Sequence, residues 1–177
     1  VEKVVLMKPT TFMNRSGLAV GEAVRFFKLT PASDVIVLTD DTALPVGQIR
    51  VRASGGTGGH NGLADLDRAL SGQDYTRVRV GVGAKPAVMD LADWVLSRFT
   101  EAEQAELGRA VLRAADAAEC CVKAGAVAAM NTFNRRMTPP GEDTPPKKVP
   151  APKPPPPNAK PPDSAQDQLP DRWPNGA

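Results

Sequence analysis

At 177 residues, with a net charge of +2 and 41% hydrophobic residues, the chain has material for one ordinary domain with a buried core. So small a charge excludes nucleic-acid recognition by bulk charge, and any such binding must come from a cluster of cations. No apolar run reaches membrane-spanning length and no charged-then-apolar leader opens the sequence, so the chain reads as a soluble, cytoplasmic protein with no membrane partner.

Val4 to Met7 predicts a short buried strand, stopped by Lys8-Pro9, and Thr10 to Ser16 a polar loop. A helix is expected from about Gly17 to Lys28, with Leu18, Val20, Val24 and Phe27 available to a core. Val35 to Leu38 is a continuous apolar run of strand length, expected to be buried on both faces, and Thr39-Asp40-Asp41 puts two acids at its carboxyl end. Gln48 to Arg52 and Thr76 to Val82 alternate in character and predict half-buried strands, with a helix from Asn61 to Leu70 between them. Ala92 to Phe99 reads as a short amphipathic element. Thr100 caps a long helix from Glu101 to about Lys123, with Glu103 at the capping-box position, and a last helix covers about Ala126 to Arg135. Strands alternating with helices predict an α/β class: a single three-layer α/β/α domain with a mixed, partly parallel sheet. From Met137 onward lie 14 of the 18 prolines and almost no large aliphatics. The expected division is therefore a domain at 1–136 and a disordered proline-rich tail at 137–177.

Chemistry concentrates in Gly55-Gly56-Thr57-Gly58-Gly59-His60-Asn61-Gly62, which holds the only histidine of the chain. Glycines allow close backbone approach to a ligand, and His and Asn can donate, accept or shuttle a proton there. A P-loop needs Gly-Lys-Ser/Thr after the glycines and a Rossmann fingerprint needs different spacing, so ATP and NAD sites are excluded. Backbone amides at the start of the following helix remain suited to a phosphodiester. Asp40, at the end of a buried strand, stands where open α/β sheets place ligands and can orient a protonated histidine. Arg50, Arg52, Arg77 and Arg79 alternate along two strands, so each pair shares a face and offers phosphate contacts or a solvated polar surface. Adjacent Cys120 and Cys121 point apart on a helix, which disfavours a shared metal or a disulfide and fits a reducing compartment.

Lys8-Pro9-Thr10-Thr11-Phe12-Met13-Asn14-Arg15-Ser16-Gly17, Asp40 with Leu44-Pro45-Val46-Gly47, Gly58-Gly59-His60-Asn61-Gly62-Leu63 and Arg77 to Gly83 together resemble bacterial peptidyl-tRNA hydrolase, over about Val4 to Arg136. The resemblance implies hydrolysis of the ester joining a peptide, or a blocked amino acid, to the 3′ end of tRNA, by a monomer with no metal or other cofactor. It implies that Asp40 holds the imidazole of a general-base histidine, that Phe12, Asn14 and Asn61 contact peptidyl-tRNA, and that Met13 and His60 support the same cleft. The family's base lies in an N-terminal segment, after a Gly-Asn-Pro-Gly-like loop, whose pattern does not occur in this chain; His60 matches the other histidine, in the glycine-rich motif. The expectation is a hydrolase represented without its first strand, loop and helix, a weak catalyst as it stands. The alternatives are a non-catalytic RNA-binding member that has lost the base, and a site in which His60 itself is the base with Asp40.

Overall fold

The structure, a computed structural model, describes residues 3–134. The expected proline-rich tail and the boundary at 136 lie outside the described residues.

A 3-10 turn at Met13–Arg15 leads into helix α1 (Ser16–Phe27), the one-turn α2 (Pro31–Asp34), strand β1 (Ile36–Asp41), β2 (Ile49–Arg52), α3 (Asn61–Ala69), β3 (Thr76–Gly81), the short α4 (Leu91–Val95), α5 (Glu101–Ala124) and α6 (Ala126–Phe133). The described strands form one sheet in the order β1-β3-β2, with β1 parallel and β2 antiparallel to β3. Alternation decides what each face meets. Ile49, Val51 and Val78 pack against Ala110, Ala114, Ala117, Cys121 and Ala129 of α5 and α6. On the opposite side Leu63 and Leu66 of α3 pack with Tyr75, and Val20 of α1, Val35 and Val37 close over them. The result is the expected α/β/α sandwich with a mixed sheet. Small alanines on the α5 stripe let that helix lie close to the β-branched strand residues.

The predicted capping box is present: Thr100 Oγ1 accepts from the Glu103 amide at 3.3 Å and Glu103 accepts from the Thr100 amide at 2.8 Å. Four other expectations need correction. Residues 4–7 form no strand, and Val4, Val5 and Leu6 are more than half exposed; an apolar run becomes a strand only beside a pairing edge, and this segment is paired to none of the described strands. β1 is an edge strand rather than one buried on both faces, and Leu38 is 54% exposed. Helix α1 turns Gly17 and Gly21 inward, leaving Leu18 and Phe27 exposed. The cause is close approach to α3: a Cβ on Gly17 would fall 2.4 Å from the Asp65 carbonyl oxygen. The 92–99 element shortens to the five residues of α4, none of them buried.

Tyr75, the one tyrosine of the chain, is fully buried and donates to Asp67 Oδ1 at 2.7 Å. Burial first, then this hydrogen bond, push its phenol up to about 12. The fold therefore favours the neutral phenol. That stabilisation is complete below the unfolded phenol value of about 10 and is lost as pH rises from there through the folded value. In an alkaline titration, tyrosinate absorbance is expected to appear together with loss of helical circular dichroism. A tyrosinate midpoint near 10 in a chain that is still helical would contradict this.

Candidate functional site

β1 ends at Thr39-Asp40-Asp41, and its parallel partner β3 runs in register with it, Asp40 beside Val80. The carboxyl end of a parallel strand is where connecting loops diverge and leave room for a ligand. The glycine-rich loop crosses that end, and α3 begins immediately after it. His60 occupies the N-cap of α3 with extended backbone, and its Nδ1 accepts the Leu63 amide at 3.2 Å, satisfying one of the free donors of the first turn.

The other ring nitrogen, Nε2, lies 3.0 Å from Asp40 Oδ1, with the two side chains 15% and 33% exposed. The pair of partners fixes the tautomer of the neutral ring. Nδ1 faces a backbone N–H and must be the acceptor, so Nε2 carries the proton and donates it to Asp40. The His60 hydrogen bond holds the Asp40 carboxyl below its ordinary value, and burial only partly opposes this. Asp40 is thus a carboxylate at neutral pH, with Oδ1 engaged by His60 and Oδ2 the oxygen His60 does not use.

Met13, in the 3-10 turn before α1, joins the pair: a Cβ on Gly62 would meet Met13 Sδ at 2.6 Å and His60 Cε1 at 2.9 Å. Only glycine at 62 lets thioether and imidazole approach the first turn of α3 together. Met13, Asp40, His60 and Gly62 all line one groove of about 780 Å³, whose apolar wall includes Val20, Val24 and Leu63. Phe12, Asn14 and Asn61 do not line it. Phe12 is 80% exposed, Asn14 is exposed in the 3-10 turn, and exposed Asn61 opens α3. They sit next in sequence to Met13 and His60, on the rim elements.

The arginine expectation is half corrected. Register places Arg50 opposite Arg79 and Arg52 opposite Arg77, so the four do share a face. Arg77, however, is 1% exposed: it pairs with Asp67 Oδ1 at 3.1 Å, donates to the Gly55 carbonyl, and lies 4.0 Å from the Tyr75 ring centre. Arg79 pairs with Asp41 Oδ2 at 3.2 Å and reaches the Gly56 and Thr57 carbonyls at 3.4 and 3.2 Å. These two guanidiniums hold the glycine loop rather than stand free for phosphate. Asp41 and Asp67 are the partners that sequence reasoning missed. The available signal was chemical: an arginine on a strand beside a buried valine needs an acid nearby.

Among the described residues no three His, Cys, Asp or Glu side chains gather as a metal site, and no helix is long and apolar enough to cross a membrane. Cys120 and Cys121 are both free thiols, Cys121 within the α5–α6 core.

A carboxylate–imidazole pair beyond the carboxyl end of a parallel strand, beside an apolar groove, defines an α/β protein with its site at the strand ends. A model of the peptidyl-tRNA hydrolase family matches residues 1–140, and the chain belongs to that family. It is similar to the curated peptidyl-tRNA hydrolases of Lachnoclostridium phytofermentans, 43% identical over 135 residues, and Syntrophomonas wolfei, 46% identical over 133. These alignments cover 76% and 75% of this chain and 70% and 71% of the relatives. The crystal structure of peptidyl-tRNA hydrolase from Acinetobacter baumannii matches with a TM-score of 0.66 at 31% identity, over 71% of this chain. The match spans 63% of the length of that structure.

Proposed function

We propose that this chain carries the histidine-orienting and substrate-holding part of a peptidyl-tRNA hydrolase site. The reaction is hydrolysis of the ester of peptidyl-tRNA or N-blocked aminoacyl-tRNA. Water loses a proton to an imidazole base, its oxygen attacks the ester carbonyl, and the bond to the terminal ribose oxygen breaks. That oxygen takes a proton, leaving free tRNA and a peptide carboxylate. The observation that carries the reading is the Asp40–His60 pair at the carboxyl end of β1. Both ring nitrogens of His60 are committed, Nδ1 as acceptor and Nε2 as donor, so His60 is a poor candidate for the base. Asp40 Oδ2 is the oxygen left to orient a second imidazole, the role the resemblance gives it. Phe12, Asn14 and Asn61 on the rim contact peptidyl-tRNA, with Met13 and His60 supporting the cleft. No metal or other cofactor takes part, and the place of action is the cytoplasm, where peptidyl-tRNA arises.

The test is cleavage of N-acetyl-aminoacyl-tRNA by the 177-residue chain with and without free imidazole. A positioned general base is worth about 10²–10⁴ in rate. Binding is expected, with slow cleavage that rises in proportion to neutral imidazole. Fast cleavage without imidazole that His60→Ala abolishes would overturn the assignment and make His60 the base. Binding with no cleavage at any imidazole concentration would replace the hydrolase with an RNA-binding protein.

A further inference from the structure

The Asp40–His60 contact joins two segments 20 residues apart. One is the end of a strand and the other follows a loop of glycines, which by composition has little preference for any one conformation. Something must hold that loop in register with the strand end. His60 donates its own amide to the Thr57 carbonyl at 3.1 Å. The same carbonyl accepts from Arg79 at 3.2 Å, and Arg79 also reaches Gly56 O. Its other terminal nitrogen pairs with Asp41, the residue next to Asp40, at 3.2 Å. A continuous path thus runs from Asp41 through the guanidinium and the Thr57 carbonyl to the His60 amide. Arg79 and Asp41 are 18% and 10% exposed, so the pair is largely shielded from competing water. Gly58 is held at φ +60°, and a Cβ there would come 3.1 Å from the Arg79 guanidinium, so the loop is shaped to this side chain.

We propose that Arg79 is a positioning residue: by bridging Asp41 to the Gly56 and Thr57 carbonyls it locks the glycine loop to the end of β1 and keeps His60 in its single, Asp40-bonded tautomer. The inference rests on the proposed hydrolase reading only for what the pair is used for; the bridge itself is read from the geometry. Arg79 has the fork for this task and lysine does not, because three acceptors on two segments need a planar donor set. Arg50, directly opposite on β2, carries the same charge on the same face without forming part of the path.

Because His60 is the only histidine, its ring nitrogens can be followed by ¹⁵N NMR without assignment ambiguity. In the wild-type chain the neutral ring is expected to show the Nε2–H form. Arg79→Gln is expected to convert it to a mixture of the two tautomers, as Asp40→Ala, which removes the Nε2 acceptor, also should. Arg79→Lys should recover part of the wild-type signature, and Arg50→Gln should leave it unchanged. A folded Arg79→Gln chain that keeps the wild-type signature overturns the proposal. Should Arg79→Gln fail to fold, Asp41→Asn weakens the same bridge at constant size, and an unchanged signature in that folded variant overturns it equally. Kinetics separate this role from a phosphate contact. Loss of positioning lowers the imidazole-dependent kcat with KM nearly unchanged, whereas a raised KM with an intact tautomer identifies phosphate binding and overturns positioning. If the tautomer shifts as expected while no variant, wild type included, cleaves the ester, the hydrolase reading fails and the positioning role stands.

Discussion

Asp40→Asn is expected to reduce imidazole-dependent cleavage of N-acetyl-aminoacyl-tRNA by about 10²–10⁴, to the rate of imidazole in free solution, while binding of the substrate changes little. The substitution keeps the volume and leaves an oxygen able to accept from His60 Nε2. It places an NH₂ group where the second carboxylate oxygen stood. An imidazole approaching that position meets a donor instead of an acceptor, so it is held by its lone pair, the group it needs for taking a proton from water. The imidazolium formed in the transition state also loses its counter-charge. Both effects act on the reaction and neither acts on ground-state binding, so kcat should carry the loss. His60→Ala should behave differently: Asp40 keeps its charge but loses the bond that fixes one oxygen, and a smaller loss is expected. A rate in Asp40→Asn equal to wild type at every imidazole concentration would sink the assignment of Asp40.

How much of this was legible in the sequence depends on whether the controlling interaction was local. The α5 start was readable because Thr100 and Glu103 satisfy each other's neighbouring amides within one turn. β2, α3, β3 and α6 followed from alternation, helical spacing and the glycine breaks, and each lies within a residue or two of its expected span. The failures share one cause: they were decided by a neighbour distant in sequence. Leu18 and Phe27 look like the core face of α1 by hydrophobicity. The helix turns its glycine face inward because α3 can approach only where there is no Cβ, and because the Gly17 amide donates to Asp65 Oδ2 at 2.7 Å. Val35 to Leu38 has the composition of a central strand, and composition does not say how many strands lie beside it. The arginines of β3 show the same limit. Alternation placed them correctly on one face, but the acids that bind them come from α3 and the end of β1. At the site, Asp40, His60 and Asn61 stood out from the strand end and the glycine-rich loop, and the resemblance added Phe12, Met13 and Asn14; of the six, Met13, Asp40 and His60 line the groove. That Asp40 and His60 touch, and that His60 thereby gives up both nitrogens, needed the crossing of the glycine loop over β1.

Arg77→Met is the substitution expected to cost the fold most. Methionine approximates the volume of the aliphatic stem, so the loss isolates the guanidinium. In the wild type that group holds Asp67 Oδ1 and the Gly55 carbonyl and stacks on Tyr75, inside a shell that excludes water. The arrangement is not fully satisfied: Asp67 Oδ2 and Arg77 Nε are buried without a hydrogen-bond partner among the described residues. Such a pair contributes little net stability when whole, since desolvation offsets most of its attraction. Breaking it is a different matter, because the surviving charge stays buried with nothing to balance it, at a cost of about 3–5 kcal/mol. Against a total of roughly 5–15 kcal/mol for a typical domain, the urea midpoint should fall by about a fifth or more. Adding Asp67→Asn to Arg77→Met removes the orphaned charge and retains an acceptor for the Tyr75 hydroxyl. The double variant should therefore be more stable than Arg77→Met alone by at least about 1 kcal/mol, although it carries one more substitution. If the two losses simply add, the cluster is not an electrostatic unit. If they cancel as expected, Arg77 is retained for the geometry it imposes on Gly55 and Tyr75, and its charge requires Asp67 rather than a phosphate.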